Sequence, residues 1–172
     1  GLYLALGNPE GLDPAKVAGS GRQQFSQEQI EGMVATLAAR MEKEPDNLEG
    51  WTMLARSYTM LGRSAEAEKA YRHLAEKMPD NAQVLADWAD AMGAAQGRTL
   101  VGEPEKLIAR ALQLDPSNLK GLALAGSVAF EKGDYAAAAG HWEKILTQLP
   151  PEEELAESVR ASVAEARAKA GL

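Results

Sequence analysis

Large apolar side chains along "WTMLARSYTMLGRSAEAEKAY" (residues 51–71) fall at intervals that a helix gathers on one face and a strand does not. Trp51, Leu54 and Tyr58 follow i, i+3, i+7 spacing, with polar or small residues between them. Gly62 permits a turn, Ala67 is small enough for a second helix to approach, and Tyr71 fills the space one turn later. The stretch predicts a helical hairpin.

That hairpin recurs. Pro45, Pro79, Pro116 and Pro150 each close a helical run, at separations of 34, 37 and 34 residues. Proline ends a helix because it has no amide hydrogen and clashes with the preceding turn. A period near 34 is that of a tetratricopeptide unit, two helices joined by a tight turn. The pattern W-x2-L-G-x2-Y, then A-x3-F, then P, matches with Ala55 in place of glycine and Tyr71 in place of phenylalanine. Leu122, Ala125, Gly126 and Ala129 repeat the stripe, "EKGDYAAA" supplies turn and small face, and Trp142 stands where Tyr71 stood. The middle unit carries Leu85, Trp88, Ala89 and Met92, then about three extra residues in the turn "GAAQGRTLVGEP".

Before these units, Ser26 and Gln29 form a capping-box pattern that starts a helix through Ile30, Met33 or Val34, Leu37 and Met41. After Pro151, "EEE" precedes Arg160, Arg167 and Lys169, the charge order a helix dipole favours. Leu155, Val159 and Val163 are expected to cover the last repeat. The predicted fold is all-α, a tetratricopeptide helical-hairpin solenoid with a C-terminal capping helix. The organisation expected is an irregular linker over 1–25 and a partial repeat over 26–46. Full repeats follow over 47–81, 82–118 (with the turn insertion) and 119–150, and the cap spans 151–172. The opening "GLYLALG" begins mid-pattern, so we expect the chain to be the soluble portion of a longer protein.

Composition removes several functions. Eighteen basic residues against 25 acidic ones leave a formal charge of −7, and no basic cluster offsets it, which argues against nucleic-acid binding. The chain has no cysteine, so disulfides, thiolate metal sites and a cysteine nucleophile are excluded, and the compartment is left open. The longest apolar run, "LALAGSVAF", is far short of the roughly 20 residues that cross a bilayer. His73 and His141 stand alone on second helices without ligand or triad spacing, and read as surface residues. "GSGRQQ" is neither a dinucleotide fingerprint nor a P-loop, and no G-x-S-x-G occurs. The expectation is a non-enzyme needing no cofactor or metal.

In such a solenoid the unburied sides of the first helices line a concave surface. Helix geometry assigns to it Glu49, Thr52, Met53, Arg56 and Met60 from one repeat and Gln83, Asp87 and Asp90 from the next. The last repeat adds Lys120, Leu124 and Ser127, with Phe130 at the margin. Trp51, Trp88 and Trp142 lie on faces predicted buried and read as packing. Met53 and Met60 have two readings, accidental exposure or the adaptable lining of a peptide groove. Asp87 and Asp90 are either solvated charge or acceptors for a basic guest helix.

More specific segments run from 32 to 146: "GMVATLAARMEKEPDNLEGWTMLARSY", "YRHLAEKMPDNAQVLADWADAM" and "GEPEKLIARALQLDPSNLKGLALAGSVAFEKGDYAAAAGHWEKIL". They resemble the C-terminal periplasmic domain of the cytochrome c maturation proteins CcmI and CycH, with NrfG a close relative. "DWADAM", "LDPSNLKGLALAG", the "GEP" insertion and the opening "LYLALGNPE" carry that resemblance. It implies a periplasmic chaperone that binds the C-terminal helix of unfolded apocytochrome c and delivers it to a membrane haem ligation complex. In that family the full-length protein is anchored in the membrane by N-terminal segments. The rival expectation is a general scaffold joining folded proteins, without apocytochrome specificity.

Overall fold

An asparagine after each of the first three helix-closing prolines starts the next helix. In the computed structural model, which describes residues 24–172, Asn47, Asn81 and Asn118 are the N-caps of α2 (Leu48–Met60), α4 (Ala82–Ala95) and α6 (Leu119–Glu131). Their side-chain oxygens accept from Gly50, Val84 and Gly121 amides at 2.9, 3.0 and 2.8 Å. Each bond satisfies a helix-end amide that otherwise has no partner. The aspartate beside the first two caps is tied forward: Asp46 to Lys77 and Asp80 to Arg110, at 2.8 and 2.7 Å. Both pairs are largely exposed, so they define turn geometry more than they stabilise it.

The chain divides into two compact units, 1–43 and 44–172. The expected linker over 1–25 lies almost wholly outside the described residues. In the first unit α1 (Gln27–Glu42) begins with the expected capping box: Ser26 Oγ accepts from the Gln29 amide at 3.0 Å and Gln29 Oε1 from the Ser26 amide at 2.8 Å. Between Met33 and Val34, it is Val34 that is buried, together with Met41.

The second unit holds α2, α3 (Ser64–Lys77), α4, α5 (Glu103–Leu114), α6, α7 (Tyr135–Leu146) and α8 (Glu154–Lys169). Each helix packs on the next, and α4 also meets α6. Among the described residues there is no strand. The α2/α3 and α6/α7 turns are the same device. Gly62 and Gly133 adopt φ of 74° and 83°, which lets Arg63 and Asp134 amides return to Tyr58 and Ala129 carbonyls at 2.9 and 2.8 Å. The longer α4/α5 turn is anchored outside its own hairpin, because Glu131 accepts from the Leu100 amide at 3.1 Å and from the Thr99 hydroxyl.

The core is made largely of alanine and a few larger side chains. Leu122, Ala138, Ala139, Ile145, Val159, Val163 and Ala166 form one cluster, and Ala89, Ile108 and Ala125 another. Small residues allow the helices to approach, and Gly126 is the extreme case: a Cβ there would lie 2.0 Å from Trp142 Nε1. The covering stripe of α8 is Ala156, Val159, Val163 and Ala166. Leu155, expected within it, is 50% exposed, because the stripe follows i, i+3, i+7, i+10 from Ala156.

The tryptophans are half-buried, not wholly enclosed, and each indole N–H is satisfied. Trp51 donates to the Glu44 carbonyl at 3.1 Å, Trp88 to Glu68 Oε2 at 2.7 Å and Trp142 to the Ala123 carbonyl at 3.2 Å. Glu68, only 9% exposed, also holds Arg72 at 2.7 Å. His73 is no lone surface imidazole. It stacks on Trp51 with ring centroids 3.9 Å apart, and its Nε2 lies 2.7 Å from the Pro45 carbonyl.

Candidate peptide-binding face

Helix α2 spends Leu54, Ala55 and Tyr58 on the core, so the rest of its circumference is left outward. There Met53 is 58% exposed and Met60 86% exposed, one heptad apart and therefore on one stripe. Glu49 and Arg56 are exposed beside them, while Thr52 is half-buried and donates to its own helix at the Leu48 carbonyl, 2.8 Å. Large apolar side chains held in water at this level are the unusual feature of α2.

The α4 and α6 residues are brought together. Lys120 Nζ lies 2.9 Å from Asp87 Oδ1 and 3.0 Å from Asp90 Oδ2. Gln83 donates to Asp87 at 3.2 Å and accepts from Asn118 at 3.1 Å, so an amide relay runs from the α6 cap to the α4 carboxylate. Burial lowers the Lys120 pKa, but the hydrogen bonds and charges of Asp87 and Asp90 more than reverse this and hold the ammonium above its ordinary range. The aspartates are thus neither plain solvated charge nor two vacant acceptors. They carry a cation supplied by the chain.

Beneath them is a hollow of about 60 Å³ lined by Tyr71 and Thr59 as well as Asp87, Asp90 and Lys120. Tyr71 is buried, and burial, then the Asp87 charge, pushes its hydroxyl pKa up against the opposing hydrogen bond with Thr59. Sequence reasoning took Tyr71 only as hairpin filler and did not single out Thr59. The signal present was a tyrosine, not a phenylalanine, at the second-helix position. Leu124 is half-buried and Ser127 exposed on α6. Phe130 packs within the α6/α7 hairpin, with centroids 5.0 Å from Tyr135 and 5.9 Å from Trp142.

A second cavity, about 270 Å³, lies among α5, α6 and α7, with Ile108, Leu112 and Val128 in its wall and His141 at its edge. Burial, then the neighbouring Lys144 charge, lowers the His141 pKa, so the imidazole stays neutral to more acidic pH than usual. Among the described residues no group of three or more His, Cys, Asp or Glu side chains is placed to hold a metal ion. No helix there is long and apolar enough to cross a membrane.

Helical hairpins of this length and order, each helix packed on the next, make this a tetratricopeptide-repeat domain. Solved structures agree on that fold. MamA has a TM-score of 0.66 at 17% identity, covering 85% of this chain and 76% of that one. The TPR2B domain in the "TPR2B-domain:pHsp70-complex of yeast Sti1" has 0.58 at 18%, covering 72% and 95%. The chain belongs to the family described as "Cytochrome c-type biogenesis protein H TPR domain", which it matches over residues 14–156.

Among its relatives are the cytochrome c-type biogenesis protein CycH of Pseudomonas aeruginosa, 31% identical over 97% of this chain. CcmH of Escherichia coli strain K12 is 26% identical over 83% of it. The chain spans only 40% and 41% of those two proteins. NrfG, a formate-dependent nitrite reductase complex subunit of Escherichia coli O157:H7, is 26% identical over 73% of this chain and 64% of its own length.

Proposed function

We propose that this domain acts in cytochrome c maturation on the periplasmic side of the membrane. It holds the C-terminal helix of an unfolded apocytochrome c and presents it to a membrane haem ligation complex. It does no chemistry itself. The observation that carries the reading is the exposed Met53–Met60 stripe on α2, in a chain of this family whose α4 and α6 carry a charge cluster. Methionine adapts to different apolar partners, and a helix lying along the face would bury its apolar stripe there and on Leu124.

A general scaffold that grips a partner's terminal carboxylate is less well supported. Its clamp would need clustered cations on this face, and of the two basic side chains assigned to it, Arg56 and Lys120, the second is engaged by two aspartates. The deciding experiment is a pull-down with immobilised domain offered apocytochrome c, holocytochrome c and apocytochrome c lacking its C-terminal helix. Retention of the first alone is expected. Equal retention of all three, or of folded partners only, would transfer the function to the scaffold reading.

A further inference from the structure

The Asp87–Asp90–Lys120 cluster does more than link two helices. Asp87 and Asp90 stand one turn apart on α4, and their oxygens converge at 2.9 and 3.0 Å on a single ammonium. An ammonium has three N–H donors, so this is a seat shaped for a primary amine. What it accepts is visible, since Lys120 sits in it.

Two features make Lys120 an exchangeable occupant. It is the second residue of α6, at the helix end where the backbone dipole disfavours a positive charge. Its side chain is 35% exposed, on a flexible stem that reaches water by simple rotation. The Asp87 half of the seat does not depend on Lys120 for its position. Gln83 holds Asp87, and Asn118 holds Gln83, through bonds in which Lys120 takes no part. Burial also opposes the charged form of Lys120, so its place is kept by the two carboxylates alone.

We propose that Asp87 and Asp90 form a seat for a basic side chain of the bound segment, and that Lys120 is a built-in stand-in which the guest displaces. This rests on the groove reading above and adds a chemistry to it: the guest carries a lysine beside its apolar stripe, within reach of α4. Lys120 then sets specificity. While it holds the seat, a guest lysine gains little, because each new ion pair costs one already made. The groove reads mainly apolar shape, and weakly basic helices are not trapped by charge alone.

The test uses two synthetic 15-residue amphipathic helical peptides, identical except for one lysine flanking the leucine stripe, replaced in the twin by norleucine. Binding is followed by fluorescence anisotropy with the 172-residue chain at low and high salt. The wild-type protein is expected to prefer the lysine peptide by no more than about twofold. Lys120→Met should raise that preference to about fivefold or more at low salt, lost again at high salt. Adding Asp90→Asn to Lys120→Met should abolish it.

Lys120→Arg guards against a variant that fails to fold. A guanidinium forks across both carboxylates and is harder to displace, so any remaining lysine preference, at most about twofold, should vanish while norleucine-peptide binding holds. An unchanged lysine preference in folded Lys120→Met, or a lysine preference in Lys120→Arg larger than that of wild type, overturns the inference and leaves the groove standing. If neither peptide binds the wild-type chain, the groove reading fails and takes the inference with it.

Discussion

Gly126→Ala adds one methyl group where there is no room for it. The new Cβ would lie 2.0, 2.4 and 2.5 Å from three atoms of the Trp142 indole. Contacts that short involve a rigid ring, so the indole must tilt out or α6 must part from α7. Either movement strains the Trp142 Nε1 bond to the Ala123 carbonyl, worth about 1 kcal/mol. Overpacking of a tight core costs about 1–3 kcal/mol. Against this, alanine gains about 1 kcal/mol over glycine in a helix. The balance is a loss of roughly 1–3 kcal/mol, taking those three terms together.

Gly140, on α7, is the control, because a Cβ there meets nothing within 4 Å. Gly140→Ala should therefore gain up to about 1 kcal/mol. Urea unfolding followed by circular dichroism gives both numbers from the midpoints, provided the slopes agree. In a Trp142→Ala background the Gly126→Ala penalty should vanish, which isolates the clash from propensity. A Gly126→Ala midpoint at or above wild type would refute the close packing of α6 on α7.

Glu68→Ala should cost about 1–3 kcal/mol in the same assay, because the Trp88 indole N–H then loses its acceptor, while Glu68→Gln should cost less than half of that. Equal losses would show that the Glu68 charge, paired with Arg72 within α3, matters more than the bond to Trp88 on α4. His141 gives a pH signature. Its folded pKa is lowered from 6.5, so below about pH 6.5 the unfolded chain binds more protons and stability falls with pH until the folded value is passed. His141→Gln should flatten this contribution between pH 7 and 5. A slope as steep as wild type would place the acid sensitivity elsewhere.

How much of this the sequence disclosed depends on the range of each interaction. Hairpins, capping box and repeat spacing were legible because they are local: Gly62, Ala67 and the closing prolines act within a few residues of themselves. The α8 stripe was misjudged at its start, since Leu155, Val159 and Val163 fit a period of four as well as the true stripe fits 3.6. The remaining features depend on tertiary register. Lys120 is 30 residues or more from Asp87 and Asp90, and Trp88 is 20 from Glu68. Likewise, nothing near His73 in the sequence announces a stack on Trp51. Met53 and Met60 were readable as exposed, because the same periodicity that buries Leu54 and Tyr58 turns them outward.

Calorimetric titration of a peptide spanning the C-terminal helix of an apocytochrome c, into wild type and into Met53→Asp/Met60→Asp, probes the binding face directly. Each apolar anchor contributes roughly 1–2 kcal/mol, so the double variant should bind at least about thirtyfold more weakly while unfolding at the wild-type urea midpoint. The same affinity in both proteins would contradict the account, because the guest would then lie somewhere other than on the α2 stripe.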